Sequence, residues 1–246
     1  MSFFESIFLG LIQGITEFLP ISSSGHLVIA QNILGFSHPP IFFDTILHLA
    51  TLSAVIVYFR KSLSKYITTS NISMIIIASI PAALAGIVIS PYIESIFSSL
   101  IIVGLGLIIT GTLLLLTKKL PKSNSSQITT KKAFFIGMFQ ATALLPGISR
   151  SGSTIFGGLF NKISKKTAFE FSFILSIPAI IGALLLQIIS SKVNSLSIEN
   201  IAGFFAAFLS GLIAIKMLDY IINNEKLHYF GYYCLIAGAG SLMIAI

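Results

Sequence analysis

The sequence is poor in charge, in cysteine and in tryptophan. Of its 246 residues, 9% are charged and 55% are hydrophobic, and the mean hydropathy is +0.97. Soluble domains carry about a quarter charged residues, so this composition excludes an ordinary soluble enzyme and a disordered chain. A single cysteine, Cys234, excludes a disulfide framework and a thiolate metal site. The composition therefore predicts an all-α polytopic membrane protein.

Long apolar runs are what the sequence has instead. A bilayer core is about 30 Å thick, and a crossing helix needs about 20 apolar residues. The period-two alternation of a transmembrane strand is absent from these runs. We therefore predict six transmembrane helices, at about 41–59, 72–90, 97–117, 167–189, 201–222 and 229–246.

Two further apolar segments are interrupted by proline, glycine and serine. The first break lies between residues 3–19 and 27–36, and the second between residues 133–145 and 154–160. Irregular backbone at membrane depth is tolerated only where protein buries it or water reaches it. Each segment therefore predicts a re-entrant hairpin or a broken helix.

The positive charges indicate the topology. If the six runs span and the second break re-enters, thirteen of the fifteen lysines and arginines lie on one side, which is then cytoplasmic. Lys192 lies on the other side, and Arg150 lies within the second break. Nucleic-acid binders place their basic residues on a water-facing groove or helix, so the net charge of +7 reflects topology and predicts no nucleic-acid partner.

The two breaks are related by an internal repeat. Shifting the chain by 127 positions superposes GLIQGITEFLPISSSGH on GMFQATALLPGISRSGS. One break and three spans in each half require the second half to be inverted. A single membrane domain, 1–246, is therefore expected to contain inverted repeats of about 1–120 and 131–246, with a site between them. Identical pairs include Gly10/Gly137, Gln13/Gln140, Ser22/Ser149, Ser24/Ser151 and Gly25/Gly152.

Three ionisable residues fall inside the breaks: Glu17, His26 and Arg150. Each costs about 2.5–3.5 kcal/mol at a helix centre on insertion scales, so their coincidence indicates function. A buried Glu–Arg pair that only joins the halves is the structural alternative, but it does not explain the many serines and glycines around it. Asp44 and His48 begin the first span, where we expect water-facing charges, with a role at the site entrance as the alternative.

The second break, PGISRSGST, has the composition of a phosphate cradle. A helix begins within it, and the free N–H groups of a helix start favour an anion. The arginine adds a guanidinium fork that matches phosphate oxygens. The predicted phosphate-binding residues are Ser149, Arg150, Ser151, Gly152 and Thr154, together with Ser22 of the first break.

The first break offers a cation site and a nucleophile. Gln13 and Glu17 are four residues apart and share a helix face, and their oxygens suit Mg²⁺ or Ca²⁺ bridging to phosphate. Three serines, 22 to 24, precede His26, and a serine beside a histidine is typical of an activated nucleophile. Attack by the histidine itself, or by a water that it activates, stays open.

Both breaks resemble the undecaprenyl-diphosphate phosphatase family, also called bacitracin-resistance proteins. The chain has QGITEFLPISSSGH and PGISRSGST where the family has (E/Q)GxTEFLPxSSxGH and PGxSRSGxT, and EFSFILSIPA is similar to a third shared stretch. The likeness covers nearly the whole length. Glutamine stands at position 13, where many members have glutamate, which leaves one carboxylate fewer for a metal.

The resemblance implies a metal-dependent hydrolase of the bacterial plasma membrane. Its substrate would be the C55 isoprenyl diphosphate of cell-wall synthesis, reached from the outer face, and its products the monophosphate carrier and inorganic phosphate. Oligomeric state stays open, a homodimer included. The residues that match the family's proposed active-site positions are Glu17, Ser23, His26, Ser149, Arg150 and Thr154.

Two other functions fit part of the pattern. A lipid flippase or transporter would share inverted repeats and broken helices at the midplane. The type-2 phosphatidic-acid phosphatase class has similar SGH and SR elements, but its K-x6-RP element is missing and no histidine follows the SR pair at a useful spacing.

Overall fold

The computed structural model describes residues 1–36, 40–66, 68–190 and 197–245, and the regular elements in these ranges are all helices. The prediction of an all-α protein is therefore confirmed. In chain order the helices are α1 Phe3–Phe18, α2 Ser23–Ile33, α3 Ile41–Tyr66, α4 Thr69–Ile89, α5 Ile93–Phe97, α6 Leu100–Leu116, α7 Thr130–Thr142, α8 Arg150–Phe160, α9 Lys165–Ser190, α10 Ile198–Asn223 and α11 Tyr229–Ile244.

All six predicted spans form helices, and four of them are long and apolar enough to cross a membrane: Ile41–Leu63, Asn71–Tyr92, Leu100–Lys119 and Ile198–Asn223. The run at 167–189 forms α9, which is 26 residues long but is not one of these four. The last run forms a shorter apolar helix, Tyr229–Ile244. Lys192, which we predicted to lie on the side opposite the other basic residues, is outside the described residues.

Both interrupted segments form two helices joined by a turn. Each second helix begins at the serine-rich sequence because a serine caps its N-terminus. Ser22 accepts a hydrogen bond from the Gly25 N–H at 3.4 Å, and Ser149 accepts one from the Gly152 N–H at 3.1 Å. The repeat in the sequence therefore corresponds to a repeated local structure.

Helix α1 packs closely along α10 through glycines. A Cβ atom built on Gly10 would lie 2.5 Å from the Gly203 carbonyl oxygen, and one on Gly14 would lie 2.9 Å from the Gly211 backbone nitrogen. Small residues let helix backbones approach this closely in membrane proteins. Residue numbers rise in the same direction along both helices, so α1 and α10 run parallel.

Helices α6 and α11 form a second glycine-lined pair that runs antiparallel. The backbone of Gly104 lies against Gly238, and that of Gly111 lies against Gly231, so the numbering falls along α11 as it rises along α6. At one end of this pair, the Ser241 hydroxyl donates to the Leu100 carbonyl at 2.9 Å.

An aromatic cluster is packed at the end of α1. Phe173 of α9 lies 5.7 Å from Phe18, 5.4 Å from Phe59 and 4.8 Å from Phe169, measured between ring centroids. These four rings are buried, and they join α1, α3 and α9. Because Glu17 directly precedes Phe18, this packing fixes the end of α1 that carries the carboxylate.

An ion-pair cluster at the surface joins the loop at Lys122, the first residue of α9 and the turn after α10. Lys122 and Lys165 lie 2.7 and 2.6 Å from one oxygen of Glu225, which follows α10. Hydrogen bonds from these two lysines lower the pKa of the Glu225 carboxyl from 4.5 to about 2.

Candidate active site

The two helix breaks contact each other. The Gly147 N–H of the second break donates to the Ser22 hydroxyl of the first at 3.1 Å. Glycine at position 25 allows this approach, because a Cβ there would lie 3.1 Å from the Gly147 Cα, and a Cβ on Gly147 would overlap the Val103 carbonyl oxygen of α6. Gly147 also has a φ of 90°, which a side chain would disfavour. The serine- and glycine-rich composition of the breaks thus allows their backbones to meet.

Thr110, from the middle of α6, fixes the second break. Its hydroxyl donates to the Gly147 carbonyl at 2.8 Å and accepts from the Ser149 N–H at 2.9 Å. Thr110 is 1% exposed, and its hydroxyl is the buried hydrogen-bond partner of two backbone groups that have no partner within a helix. This residue therefore sets where α8 begins.

At this junction, the Glu17 carboxylate binds groups from both halves. Its Oε1 lies 2.5 Å from Arg150 Nη2, and its Oε2 accepts from the Ser23 hydroxyl at 2.5 Å. The Gln13 amide donates to the same Oε2 at 3.2 Å. The glutamate and arginine side chains are 7% and 15% exposed. The structure therefore brings together four predicted site residues, which supply a carboxylate, a hydroxyl, an amide and a guanidinium.

A cleft of about 200 Å³ opens beside this cluster. One part of its wall is polar and is formed by Glu17, Ser22, Ser23, Ser24, His48, Ser149 and Arg150. The other part is apolar and is formed by Phe97, Ala143, Leu144, Ile148, Ala179, Ile180 and Leu184. A site with a polar end and an apolar wall suits a ligand with a charged head and a hydrocarbon chain.

Two buried polar atoms at the cluster have no hydrogen-bond partner among the described residues. They are Nη1 of Arg150 and Oε1 of Gln13. A free guanidinium N–H beside the cleft suits an anionic oxygen, whereas a free carbonyl oxygen suits a cation or a donor. The cluster therefore retains one donor and one acceptor for a ligand.

The structure does not bring His26 into this cluster. Its Nδ1 lies 2.8 Å from the Ser22 carbonyl oxygen, so Nδ1–H donates there, and its Nε2 lies 2.7 Å from the Tyr233 hydroxyl. The imidazole and the Tyr233 ring stack, with centroids 5.6 Å apart. The bond back to the preceding turn directs the ring toward α11, and His26 is not among the residues that line the cleft.

Ser151 and Thr154 also face away from the cleft. The Ser151 hydroxyl lies 3.2 Å from that of Ser149, and the Thr154 hydroxyl lies 2.6 Å from that of Ser172 on α9. Both residues are 1% exposed. Of the residues predicted to bind phosphate, Ser22, Ser149 and Arg150 line the cleft, while Ser151, Gly152 and Thr154 support the helix start behind it.

We expected Asp44 and His48 to be water-facing charges at the end of a helix, but both side chains make hydrogen bonds within the protein. The Asp44 carboxylate accepts from the Gln31 amide at 2.9 and 3.1 Å. His48 Nδ1 lies 3.0 Å from Gln13 Nε2 and 3.8 Å from Glu17 Oε2. One turn of α3 therefore places His48 at the carboxylate cluster, where it lines the cleft.

Comparison with known proteins identifies the family. Residues 6–240 match the family described as bacitracin resistance protein BacA. The chain belongs to this family. The undecaprenyl-diphosphatase of Methanococcus vannielii is 40% identical over 246 residues, covering 95% of this chain and 96% of its own. The undecaprenyl-diphosphatase of Carboxydothermus hydrogenoformans is 40% identical over 255 residues, covering 99% and 98%.

Membership in the BacA family confirms the resemblance seen in the two motifs. The sequence predicted no role for Thr110 or Tyr233, and it predicted His48 to be a water-facing charge at a helix end. Thr110 and Tyr233 carry no local signal, because each acts through a contact with a distant segment. His48 had one: it is an ionisable residue in an apolar run, four positions from Asp44.

Proposed function

We propose that the chain is an undecaprenyl-diphosphatase, which hydrolyses undecaprenyl diphosphate to undecaprenyl phosphate and inorganic phosphate. Full-length relatives at 40% identity carry that name. The observation that carries the proposal is the contact of Glu17 with Ser23 and Arg150 at the polar end of a cleft with an apolar wall. The polar end would hold the diphosphate, and the apolar wall would contact the first part of the isoprenoid chain.

Ser23 is the nucleophile that the contacts favour. Its O–H donates to Glu17, which can take the proton as the oxygen attacks the terminal phosphorus. The bond from that phosphorus to the bridging oxygen breaks, and undecaprenyl phosphate leaves. Water then hydrolyses the phosphoserine to release inorganic phosphate. His26, predicted as an alternative nucleophile or as a base, would act here only by leaving its contact with Tyr233.

Arg150 has two functions in this scheme. Its Nη2 holds the Glu17 carboxylate, and its unpaired Nη1 would bind a phosphate oxygen. Preorganised donors aimed at developing negative charge supply much of the catalysis in phosphoryl transfer. The arginine is also the first residue of α8, where the dipole and free N–H groups of the helix start favour the same charge.

A divalent cation, Mg²⁺ or Ca²⁺, is part of the proposal, and the side-chain oxygens of Gln13 and Glu17 fit such an ion. The unpaired Gln13 Oε1 and the Glu17 carboxylate are oxygen ligands of the kind both ions prefer. In the described part of the chain, no group of three His, Cys, Asp or Glu residues could hold a metal. Magnesium is commonly bound by one or two protein oxygens together with substrate phosphates, and such an ion would neutralise phosphate charge.

We also propose the full topology: six transmembrane helices and two re-entrant broken-helix hairpins, in inverted repeats of about 1–120 and 131–246 within one membrane domain. If the first hairpin enters from outside and the second from the cytoplasm, α1 and α10 run in the same direction, and α6 and α11 run oppositely. The glycine contacts have this parallel and antiparallel arrangement. The same scheme puts thirteen basic residues on the cytoplasmic side.

We further propose that the chain lies in the bacterial plasma membrane with its cleft open toward the outer face, as the family resemblance implies. A homodimer stays a prediction. Cysteines introduced singly at Ser123 and at Tyr92 would test the orientation in Cys234→Ser protein, because a membrane-impermeant thiol reagent should label only the second from outside. Labelling of the first from outside would reverse the scheme.

The function is tested with the purified full-length chain in detergent and synthetic undecaprenyl diphosphate. We expect release of inorganic phosphate that requires a divalent cation and is removed by EDTA. Glu17→Ala should abolish release, while Glu199→Gln, in the first turn of α10 and away from the cleft, should not change it. Movement of the lipid headgroup across sealed vesicles without phosphate release would instead identify a flippase.

A further inference from the structure

His48, on α3, contacts the cluster formed by Gln13, Glu17, Ser23 and Arg150. Its Nδ1 lies 3.0 Å from Gln13 Nε2 and 3.8 Å from Glu17 Oε2. The side chain is 33% exposed, and it lines the cleft, whereas Gln13 is fully buried. The imidazole therefore lies between the cleft and the buried amide.

The orientation of the Gln13 amide follows from these contacts. Oε1 cannot face the Glu17 carboxylate, because two acceptors would then meet, so the NH₂ group faces it at 3.2 Å. The second hydrogen of this NH₂ group points to His48 Nδ1, which accepts it. The two neighbours thus use both amide hydrogens and leave Oε1 as the unpaired acceptor.

His48 is consequently held as the tautomer that carries its proton on Nε2. No group in the described part of the chain hydrogen-bonds to Nε2. The ring thus accepts from the amide at one edge and keeps the other edge for the cleft. Without an acceptor at Nδ1, only the 3.2 Å hydrogen bond to Glu17 would hold the amide, and the amide plane could rotate away from the carboxylate.

We propose that His48 is a positioning residue of the active site, which acts through Gln13 to hold the Glu17 carboxylate in line with Ser23. This inference rests on the proposed function and adds a residue on a third helix to it. Hydrogen bonds link His48 to the Gln13 amide, the same amide to Glu17 Oε2, and Glu17 Oε2 to the Ser23 hydroxyl. A loss of His48 should therefore reduce the rate of the chemical step more than it reduces substrate binding.

Three single variants distinguish the loss of a hydrogen-bond acceptor at position 48 from the loss of side-chain volume there. His48→Leu removes the acceptor, and we expect kcat for phosphate release to fall about 10- to 100-fold with KM within about threefold. His48→Asn puts an amide oxygen near the position of Nδ1, so it should recover kcat to within about fivefold of wild type. His228→Leu, at the start of α11 and away from the cleft, is the matched control and should behave as wild type.

A double-mutant cycle with Gln13→Leu tests whether His48 acts through the amide. If it does, His48→Leu should cost less than about threefold in kcat when Gln13 is already leucine. An equal loss in both backgrounds would overturn the proposal, as would a His48→Asn variant that is no better than His48→Leu. Thermal unfolding in detergent, followed by circular dichroism, identifies any variant whose loss of activity is due to misfolding. If His48→Leu misfolds, the kcat of His48→Asn tests the proposal instead.

Failure of this proposal differs from failure of the proposed function. If wild type releases no phosphate from undecaprenyl diphosphate, the function is wrong. If wild type is active and the cycle shows no coupling, only the role of His48 is wrong.

Discussion

Replacement of Arg150 by lysine keeps the positive charge and removes the planar guanidinium group, so it separates the effects of the two. In the structure, Nη2 of this arginine binds Glu17 and Nη1 is buried without a partner. A lysine keeps one positive charge, so the buried carboxylate would stay paired. It has no planar fork, so it cannot also hold a phosphate oxygen in a fixed direction. The variant should therefore fold but lose its contact with the substrate.

The size of the effect follows from the contact that is lost. Removal of one preorganised donor from a developing negative charge costs about 2.7–4 kcal/mol, which is about 10²–10³ in kcat. Arg150→Ala would add the cost of an unpaired buried carboxylate, about 3–5 kcal/mol of stability. We therefore expect Arg150→Lys to unfold within a few degrees of wild type and Arg150→Ala to unfold well below it.

The assay is release of inorganic phosphate from undecaprenyl diphosphate, with thermal unfolding measured on the same preparations. Arg60→Lys, at an exposed position near the end of α3, is the matched control and should retain full activity. If Arg150→Lys turned over within about threefold of wild type, the free Nη1 would have no part in catalysis. The arginine would then be a structural partner of Glu17.

Four further predictions concern single side chains. Ser23→Ala should lower kcat by at least about 10³-fold because the nucleophile is lost, whereas Ser53→Ala on the exposed side of α3 should not, as phosphate release will show. Tyr233→Phe should lower kcat/KM only about 3- to 10-fold, the cost of one hydrogen bond to an imidazole outside the cleft; a loss of 10³-fold would instead place the imidazole in the chemistry. Thr110→Val should lower the unfolding temperature and the activity together, because it leaves two buried backbone groups without partners at about 1–3 kcal/mol each. Glu225→Gln should lower the unfolding temperature at pH 6; since the pKa of this carboxyl is depressed to about 2 in the folded state, the difference from wild type should shrink as pH falls from about 4.5 toward 2.

Sequence alone predicted the helices well because their signals are local. A run of about twenty apolar residues has few alternatives to a helix in a bilayer, and proline with serine after it ends one helix and caps the next. The same reasoning brought Glu17 and Arg150 to one site, since two buried opposite charges in one small membrane domain stabilise each other best in contact. The structure has that contact.

The contacts that sequence did not predict are between elements that are distant in the chain. His26 stacks on Tyr233, more than two hundred positions away, and Thr110 fixes the second break from the middle of an apolar helix. Neither pairing changes the hydrophobic pattern of the segments involved. Helix direction and rotation decided both of them, and these depend on packing of the glycine faces rather than on any single segment.

The repeat explains why the site needs both halves. Ser23 and Arg150 occupy equivalent positions: each is the first residue of a helix that a preceding serine caps. A symmetric pair of such helix starts would offer two identical sets of N–H groups to an anion and no proton acceptor. Divergence at the position of Glu17, where the second half has Leu144, supplies one carboxylate, and that carboxylate binds the serine of its own half and the arginine of the other.

An exchange of the two residues, Ser23→Arg with Arg150→Ser, would therefore keep the charge count but remove the hydroxyl that Glu17 orients. The exchanged chain should bind diphosphate without releasing phosphate, and phosphate release near the wild-type rate would show that the two helix starts are interchangeable.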